Sequence, residues 1–358
     1  MVTWPFLVLI SSVRAAYADC RPAFEWPFTP ESIWNTPLGS GAIFSPANLF
    51  SLGRPLPNFV RIDQVYIVNA SAKDPLVPWY NQGHWGKPRD AAHYCNITGP
   101  LVTHLHFPAN LNFSRFGENA CSGLLQPDGR TLLTPHPLYV CEAGAPILAL
   151  QGPPGQQQAD IFTDTGNLGG FGGSGLSAVG PAIRKGQMLP SAPPIRHALA
   201  LELYGFDYYY RPPTGNRSQC YRWPAVQCDG GMGYNNTNPL LTPGALLAVP
   251  PSSYLRLNST LQTVPARRLL EALTAYGAYI VADSCGDVNF VGELGMQDEF
   301  KAAYGFDFNV LVEPVLGSWA ADLIALLHAL EIVVNNSPST PGGGGTPGRP
   351  PPPPFCPY

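Results

Sequence analysis

Apolar residues in this chain come in short runs, separated by clusters of proline, glycine and asparagine. Phe59 to Val68, Leu101 to Phe107, Pro146 to Leu150, Ile195 to Tyr204 and Ala245 to Val249 have the length and composition of strands. Their short, irregular spacing predicts a mainly β fold, an antiparallel β-sandwich or jelly roll. Helical spacing enters late. Ala266, Leu269, Leu270 and Leu273 follow Pro265, and Gly277 ends the pattern as a C-terminal cap. Asp298 to Tyr304, closed by Gly305, predicts a second helix; Trp319, Leu323, Leu326, Leu327 and Leu330 predict a third. Ala278 to Ala282 is a strand that follows the first helix at once. The few C-terminal-half helices are expected to pack on one end of the β body.

The ends of the chain differ from its middle. Trp4 to Ile10, with Val13, form a short apolar core before Ala16-Tyr17-Ala18, so residues 1–18 are expected to be a signal peptide. No later run reaches the ~18 apolar residues that span a bilayer, and no membrane anchor is expected. Residues 19–340 read as a single β-rich extracellular domain. Residues 341–358 are a Gly/Pro-rich tail, whose composition favours extended chain. Phe355 and Cys356 are its candidate points of attachment to the body.

Composition sharpens the compartment. Seven Asn-x-Ser/Thr sites, at Asn69, Asn96, Asn112, Asn216, Asn235, Asn258 and Asn335, predict a secreted glycoprotein with those residues on surface loops. The eight cysteines, Cys20, Cys95, Cys121, Cys141, Cys220, Cys228, Cys285 and Cys356, read as about four disulfides. Cys220 and Cys228 could close a local loop, and Cys20 and Cys356 could join the two ends. Charged residues make up 12% of the chain, against about 25% in an average protein. A formal charge of −4 gives no attraction to nucleic acid.

Candidate chemistry centres on Ile195 to Tyr204. Strand alternation puts Ile195, His197, Leu199, Leu201 and Leu203 on a core face, with His197 a hydrogen-bonded core residue. Arg196, Ala198, Ala200, Glu202 and Tyr204 fall on the other face, which suits the floor of a ligand groove: small residues leave room, Tyr204 stacks on a sugar, and the charged groups bind hydroxyls or move protons. A solvent-facing surface with an Arg/Glu pair is the plain alternative. The aromatic stretch from Tyr204 adds Tyr208 and Tyr210 as candidate substrate-binding rings; core packing competes for them.

His104 and His106 point to one face of a predicted strand, as a proton-transfer pair or two metal ligands would. A third ligand is not evident, with His84 and His93 candidates by type alone, so no metal is expected. Glu202, Glu142, Asp164, Asp283 and Glu293 are the acids from which a glycosidase would draw a carboxylate pair. Gly170-x-Gly172-x-x-Gly175 matches a dinucleotide fingerprint without the strand before it or the helix after it, so no cofactor is expected. Tight turns, or a loop lining a cleft, explain these glycines.

Ser32-Ile-Trp-Asn-Thr-Pro37, the Gly172 to Gly186 block, Ile195-Arg-His-Ala-Leu199, Ala272 to Asp283 and Gly342 to Thr346 together resemble a family of secreted microbial proteins of unsettled activity. That resemblance covers most of the mature chain and implies a carbohydrate-active role. Two functions are therefore carried forward. One is a glycoside hydrolase or lyase acting on cell-wall or extracellular polysaccharide, using Glu202, His104, His106 and Asp283 with Arg196, Tyr204, Tyr208 and Tyr210. The other is a non-catalytic matrix or cell-wall glycoprotein that binds glycans or partner proteins.

Overall fold

The computed structural model describes residues 20–50, 57–82, 90–114, 119–150, 158–213, 215–230, 233–312 and 315–357. The leader and His84 lie outside these residues. The regular elements of the first half are almost all strands: β1 (Phe44–Pro46), β2 (Phe59–Asn69), β3 (Leu76–Asn81), β4 (Leu101–His106), β5 (Ser122–Leu125), β6 (Thr131–Leu133), β7 (Ile147–Ala149) and β8 (Gln158–Asp160), with one short helix, α1 (Ala91–Tyr94). Then come β9 (Leu199–Leu203), α2 (Gly205–Tyr208), β10 (Leu246–Ala248), α3 (Pro251–Thr260) and α4 (Val264–Ala275). The chain continues through β11 (Ala278–Asp283), β12 (Val288–Glu293), α5 (Met296–Tyr304), β13 (Val310–Leu311), α6 (Gly317–His328) and β14 (Glu331–Val333).

The fold is mainly β, with helices concentrated in the second half, as the apolar pattern predicts. The strand pairing, however, is mixed rather than antiparallel. An 11-stranded sheet runs β1-β14-β10-β11-β9-β12-β2-β5-β6-β8, with β13 added to β2. Within it β9 lies parallel to β11, and β2 parallel to both β12 and β5. A smaller sheet has the order β4-β3-β7. Parallel neighbours need a long crossover, and β10, α3 and α4 supply it between β9 and β11.

The large sheet is covered on both faces. Leu199, Leu201 and Leu203 of β9 join Leu257, Leu269, Leu273, Leu323 and Leu327 from α3, α4 and α6 in one core. Ala198 and Ala200 enter a second core with Trp34, Phe171, Val179 and Val291. This second layer is irregular chain from the N-terminal segment and the glycine-rich stretch, which alternation alone cannot reveal. The face read as a groove floor is therefore closed at Ala198 and Ala200, both fully buried. Glu202, further along the same face, is also fully buried.

The predicted helices form where their apolar spacing lies. Pro265 sits in the first turn of α4, and Gly277 follows its end with φ 75°. Gly305 caps α5 at φ 78°. The sequence gives no signal for α3, which buries only Leu257 and so carries no apolar stripe.

Residues 341–357, set apart by composition as a tail, are packed against the body. Gly39 and Gly41 donate to the carbonyls of Gly342 and Gly344, at 3.0 and 2.9 Å. Gly342 to Gly345 all have positive φ, a run that only glycine adopts without strain. Near the end of the chain, the buried Arg21 guanidinium donates to the carbonyls of Pro27, Phe28 and Pro353 and stacks on Phe355. Three disulfides are formed: Cys20–Cys356, Cys95–Cys141 and Cys220–Cys228. The fourth expected pair is absent, since Cys121 is a free thiol in the interior and Cys285 a free thiol on an exposed turn. No helix of the described residues is long and apolar enough to cross a membrane.

Candidate active site

Four carboxylates gather at one end of the large sheet. Glu202 lies near the C-terminal end of β9, in register with Asn289 of β12 and Ala282 of β11. Asp63 of β2 stands opposite Val291, two residues further along β12. Residues in register on neighbouring strands share a face, so Glu202, Asn289 and Asp63 project to the same side. Asp283 ends β11, and its backbone N–H donates to Asp229 Oδ2 at 3.0 Å. Asp229 follows directly on Cys228, so the short Cys220–Cys228 loop helps fix it.

Amides bridge the acids. Asn119 Nδ2 donates to Asp63 Oδ2 at 2.9 Å and more weakly to Glu202 Oε1 at 3.4 Å. Asn289 Nδ2 donates to Glu202 Oε2 at 2.8 Å. Its own Oδ1 is buried with no partner among the described residues, an acceptor left for a water or a substrate hydroxyl. Among the described residues no cationic side chain pairs with any of the four acids. Arg61, on the same face, is held instead by Asp287 at 3.1 Å.

Glu202 is 0% exposed. Burial, and then the Asp63 charge beside it, push its pKa well above the usual carboxylate range. Burial also raises Asp63, while its hydrogen bonds with Glu202 and Asn119 act the other way. Together they are a hydrogen-bonded acid pair holding one proton. The hydrogen bond between them raises Glu202 and lowers Asp63, so Glu202 is the member that holds a proton more readily, and Asp63 is half-buried as a residue. Burial raises Asp229 too, opposed by the Asp283 N–H; because Asp229 is exposed, this is a weaker constraint than at Glu202. Burial, against the donation from the Gly205 N–H at 2.6 Å, raises Asp283 to about 6.

The surroundings hold these groups in place. The Tyr209 hydroxyl accepts from Leu203 N at 3.1 Å and donates to the Ala282 carbonyl, tying the ends of β9 and β11. Gly173 packs so closely on the acids that a Cβ there would stand 2.3 Å from Asp229 Oδ2. The glycine-rich stretch thus lines the site. Cys121 lies on the same side, but burial and the charges of Asp63, Glu202 and Asp229 raise its thiol pKa, which keeps it protonated and a poor nucleophile. Beside Asp283, Phe206 is 49% exposed and pairs with Tyr204 at a centroid distance of 6.0 Å, offering rings at the rim.

Of the residues singled out from sequence, the fold unites Glu202 and Asp283 and leaves Tyr204 close by. It separates the others. His104 and His106 sit on β4, an outer strand of the small sheet. His106 N donates to Gln126 Oε1, next to Leu125; Leu125 pairs with Asn69, six residues along β2 from Asp63, or about 20 Å. The His106 ring is engaged with the Asp74 carbonyl at 2.7 Å. Arg196 lies beyond the other end of β9, within electrostatic reach of Tyr276. Tyr208 is a core residue, 2% exposed and edge-on to Phe50. Tyr210 is half-buried, with its backbone paired to Leu241. Glu293 forms a buried ion pair with Arg184 at 2.9 Å and supports the fold. His197 is buried between the Ala198 carbonyl and Gln187; desolvation, aided by the Arg184 charge and opposed by the Ala198 hydrogen bond, lowers its pKa to about 4.

Sequence reading missed Asp63, Asn119, Asp229 and Asn289. Only strand register and the Cys220–Cys228 closure bring them together. Among the described residues no group of three or more His, Cys, Asp and Glu side chains is arranged to hold a metal ion. Six of the seven Asn-x-Ser/Thr residues lie where a sugar could project: Asn69, Asn96, Asn112, Asn216 and Asn235 are exposed and Asn258 is half-exposed on α3. Asn335 is the exception. Its Nδ2 donates to the carbonyls of both Gly41 and Gly343 at 2.9 Å, and its Oδ1 accepts from Ile43 N, so the folded chain leaves it no N–H for a glycan. Comparison with protein-family models, curated proteins and solved structures gives no match.

Proposed function

We propose that this chain is a secreted glycoprotein that hydrolyses an uncharged extracellular or cell-wall polysaccharide by general acid–base catalysis. One observation carries the reading: a hydrogen-bonded carboxyl pair in which burial and the Asp63 charge push Glu202 well above the usual carboxylate range, accompanied by the exposed Asp229. A general acid must be protonated where its pKa would ordinarily leave it ionised, and burial beside a like charge achieves that. The shared proton shifts to Asp63 and passes to the glycosidic oxygen as the C–O bond breaks. Glu202, then a carboxylate, is stabilised by the amides of Asn289 and Asn119. Asp229 takes a proton from the water whose oxygen bonds to the anomeric carbon, and exchange with solvent resets the pair.

Neutral substrate follows from charge. Four acids without a paired cation repel a uronate chain, which also argues for hydrolysis over lyase chemistry. Three disulfides, the Asn-x-Ser/Thr sites and the apolar leader pattern support export. The test is incubation of the mature protein with a panel of neutral and acidic polysaccharides, measuring new reducing ends and unsaturated uronate absorbance. New reducing ends from a neutral polymer, lost in Asp63→Asn and Glu202→Gln, are expected. No turnover, turnover indifferent to both changes, or unsaturated uronate as the product overturns the proposal.

A further inference from the structure

A cleft of about 400 Å³ lies far from the four acids. Its walls come from the N-terminal segment (Leu38, Ser40, Phe44), α3 (Tyr254), α4 (Glu271, Thr274) and the docked C-terminal stretch (Thr346, Arg349). Leu38 N donates to the Ala275 carbonyl, just before Gly277, and Gly277 O accepts from Leu199 N at the start of β9. The cleft is therefore at the N-terminal end of β9 and β11, whereas Glu202 and Asp283 are at the C-terminal end. Asp283 is five residues along β11 from Ala278, about 17 Å, and Glu202 three residues along β9 from Leu199, about 10 Å.

Polar groups at the cleft are left without protein partners. The Glu271 and Arg349 side chains make no hydrogen bond or ion pair among the described residues, although the Glu271 charge acts on Arg268 and the Arg349 charge on Tyr276. The Thr274 hydroxyl is buried with no hydrogen-bond partner among those residues. A buried, unmatched hydroxyl costs stability unless something else fills its valence. Tyr254 and Phe44 supply ring faces, and Pro251 and Ala275 supply apolar surface. One carboxylate, one guanidinium, free hydroxyl valence and two rings suit an uncharged ligand rich in both donors and acceptors, with C–H faces to stack.

We infer that this cleft is a second, non-catalytic saccharide-binding site, taking a few sugar units of a neutral glycan. Tyr254 stacks on a ring, Glu271 accepts from hydroxyls, and Arg349 donates to them. The C-terminal stretch, carrying Thr346 and Arg349, is one wall of the site, and Cys20–Cys356 fixes its end. The assignment of a neutral glycan rests on the proposed hydrolysis; the existence of the cleft and its unpaired groups does not.

The test is isothermal titration of full-length mature protein with cellohexaose, xylohexaose, mannohexaose and glycylglycine. Asp63→Asn is used as the background so that no probe is consumed. One hexasaccharide is expected to bind, with affinity reduced at least about tenfold by Tyr254→Ala and by Arg349→Ala. Circular dichroism and melting temperature confirm that both variants fold, and Tyr254→Phe, which keeps the ring, retains most of the binding. Binding of no hexasaccharide overturns the inference, as does binding unaffected by either change or binding of glycylglycine alone. Loss of turnover with binding intact would strike only the catalytic proposal. Turnover with no saccharide at the cleft would strike only this one.

Discussion

Replacing Asp283 with asparagine tests the electrostatics of the candidate site through stability. Its carboxyl is raised from 3.8 to about 6, so the folded chain holds this proton more tightly than the unfolded chain does. The stabilising contribution is complete below the unfolded pKa. It is lost as pH rises from about 4 to about 6, and it stays lost above. A shift of about 2 units corresponds to about 3 kcal/mol, and the partial exposure of Asp283 trims this to about 1–3 kcal/mol. Asparagine keeps an oxygen to accept from Gly205 N and never ionises. The assay is urea unfolding of wild type and Asp283→Asn, disulfides intact, at pH 4, 5, 6 and 7.5. The stability of the variant relative to wild type should rise by about 1–3 kcal/mol across that range and level off at its top. Common contributions, Glu202 included, cancel in the difference. A flat difference, or one that falls with pH, would refute the assignment of a desolvated, proton-holding carboxyl at position 283.

Other predictions come from particular contacts. Gly173→Ala should displace Asp229, because the new methyl meets Oδ2 at 2.3 Å; turnover of the polysaccharide found active should drop at least about tenfold while far-ultraviolet circular dichroism stays unchanged. Glycopeptide mapping should find Asn335 unoccupied and glycan on the exposed Asn69, Asn96 and Asn112, since both amide hydrogens of Asn335 are engaged. Cys356→Ser opens a link between residues 336 apart in sequence, so it should lower stability by about 2–5 kcal/mol and expose the chain beyond residue 341 to limited proteolysis.

Helices α4, α5 and α6 and strands β2, β4, β7, β9, β10 and β11 are legible because each carries a local signal, apolar runs or spacing with a proline or glycine nearby; α2, α3 and the other strands carry none. Glu202 stood out as an acid in an apolar strand and Asp283 as the acid ending one. Their partners were not legible. Asp63 is some 140 residues before Glu202 and meets it only through the β9–β12–β2 register, which depends on pairing rather than on local pattern. Alternation also misled at Ala198 and Ala200. It separates two faces of a strand but cannot tell solvent from a covering layer of irregular chain, and here that layer is built from loops. The Gly/Pro-rich end is attached at Phe355 and Cys356 as expected, but its composition does not show the backbone contacts along it. Composition reports how little apolar surface a segment can bury, whereas this one is held by backbone hydrogen bonds, the Arg21 network and a disulfide. His104 and His106 share a face as alternation requires, but on the smaller sheet, and local pattern does not separate the strands of the two sheets.

Infrared difference spectroscopy of the folded protein between pH 5 and 9 reads carboxyl protonation without needing a substrate. It should show a protonated acid carbonyl that persists above pH 7, disappears in Glu202→Gln and shifts in Asp63→Asn. Absence of any protonated carboxyl at pH 7, or a band untouched by Glu202→Gln, would contradict the proton-holding pair on which the proposed chemistry depends.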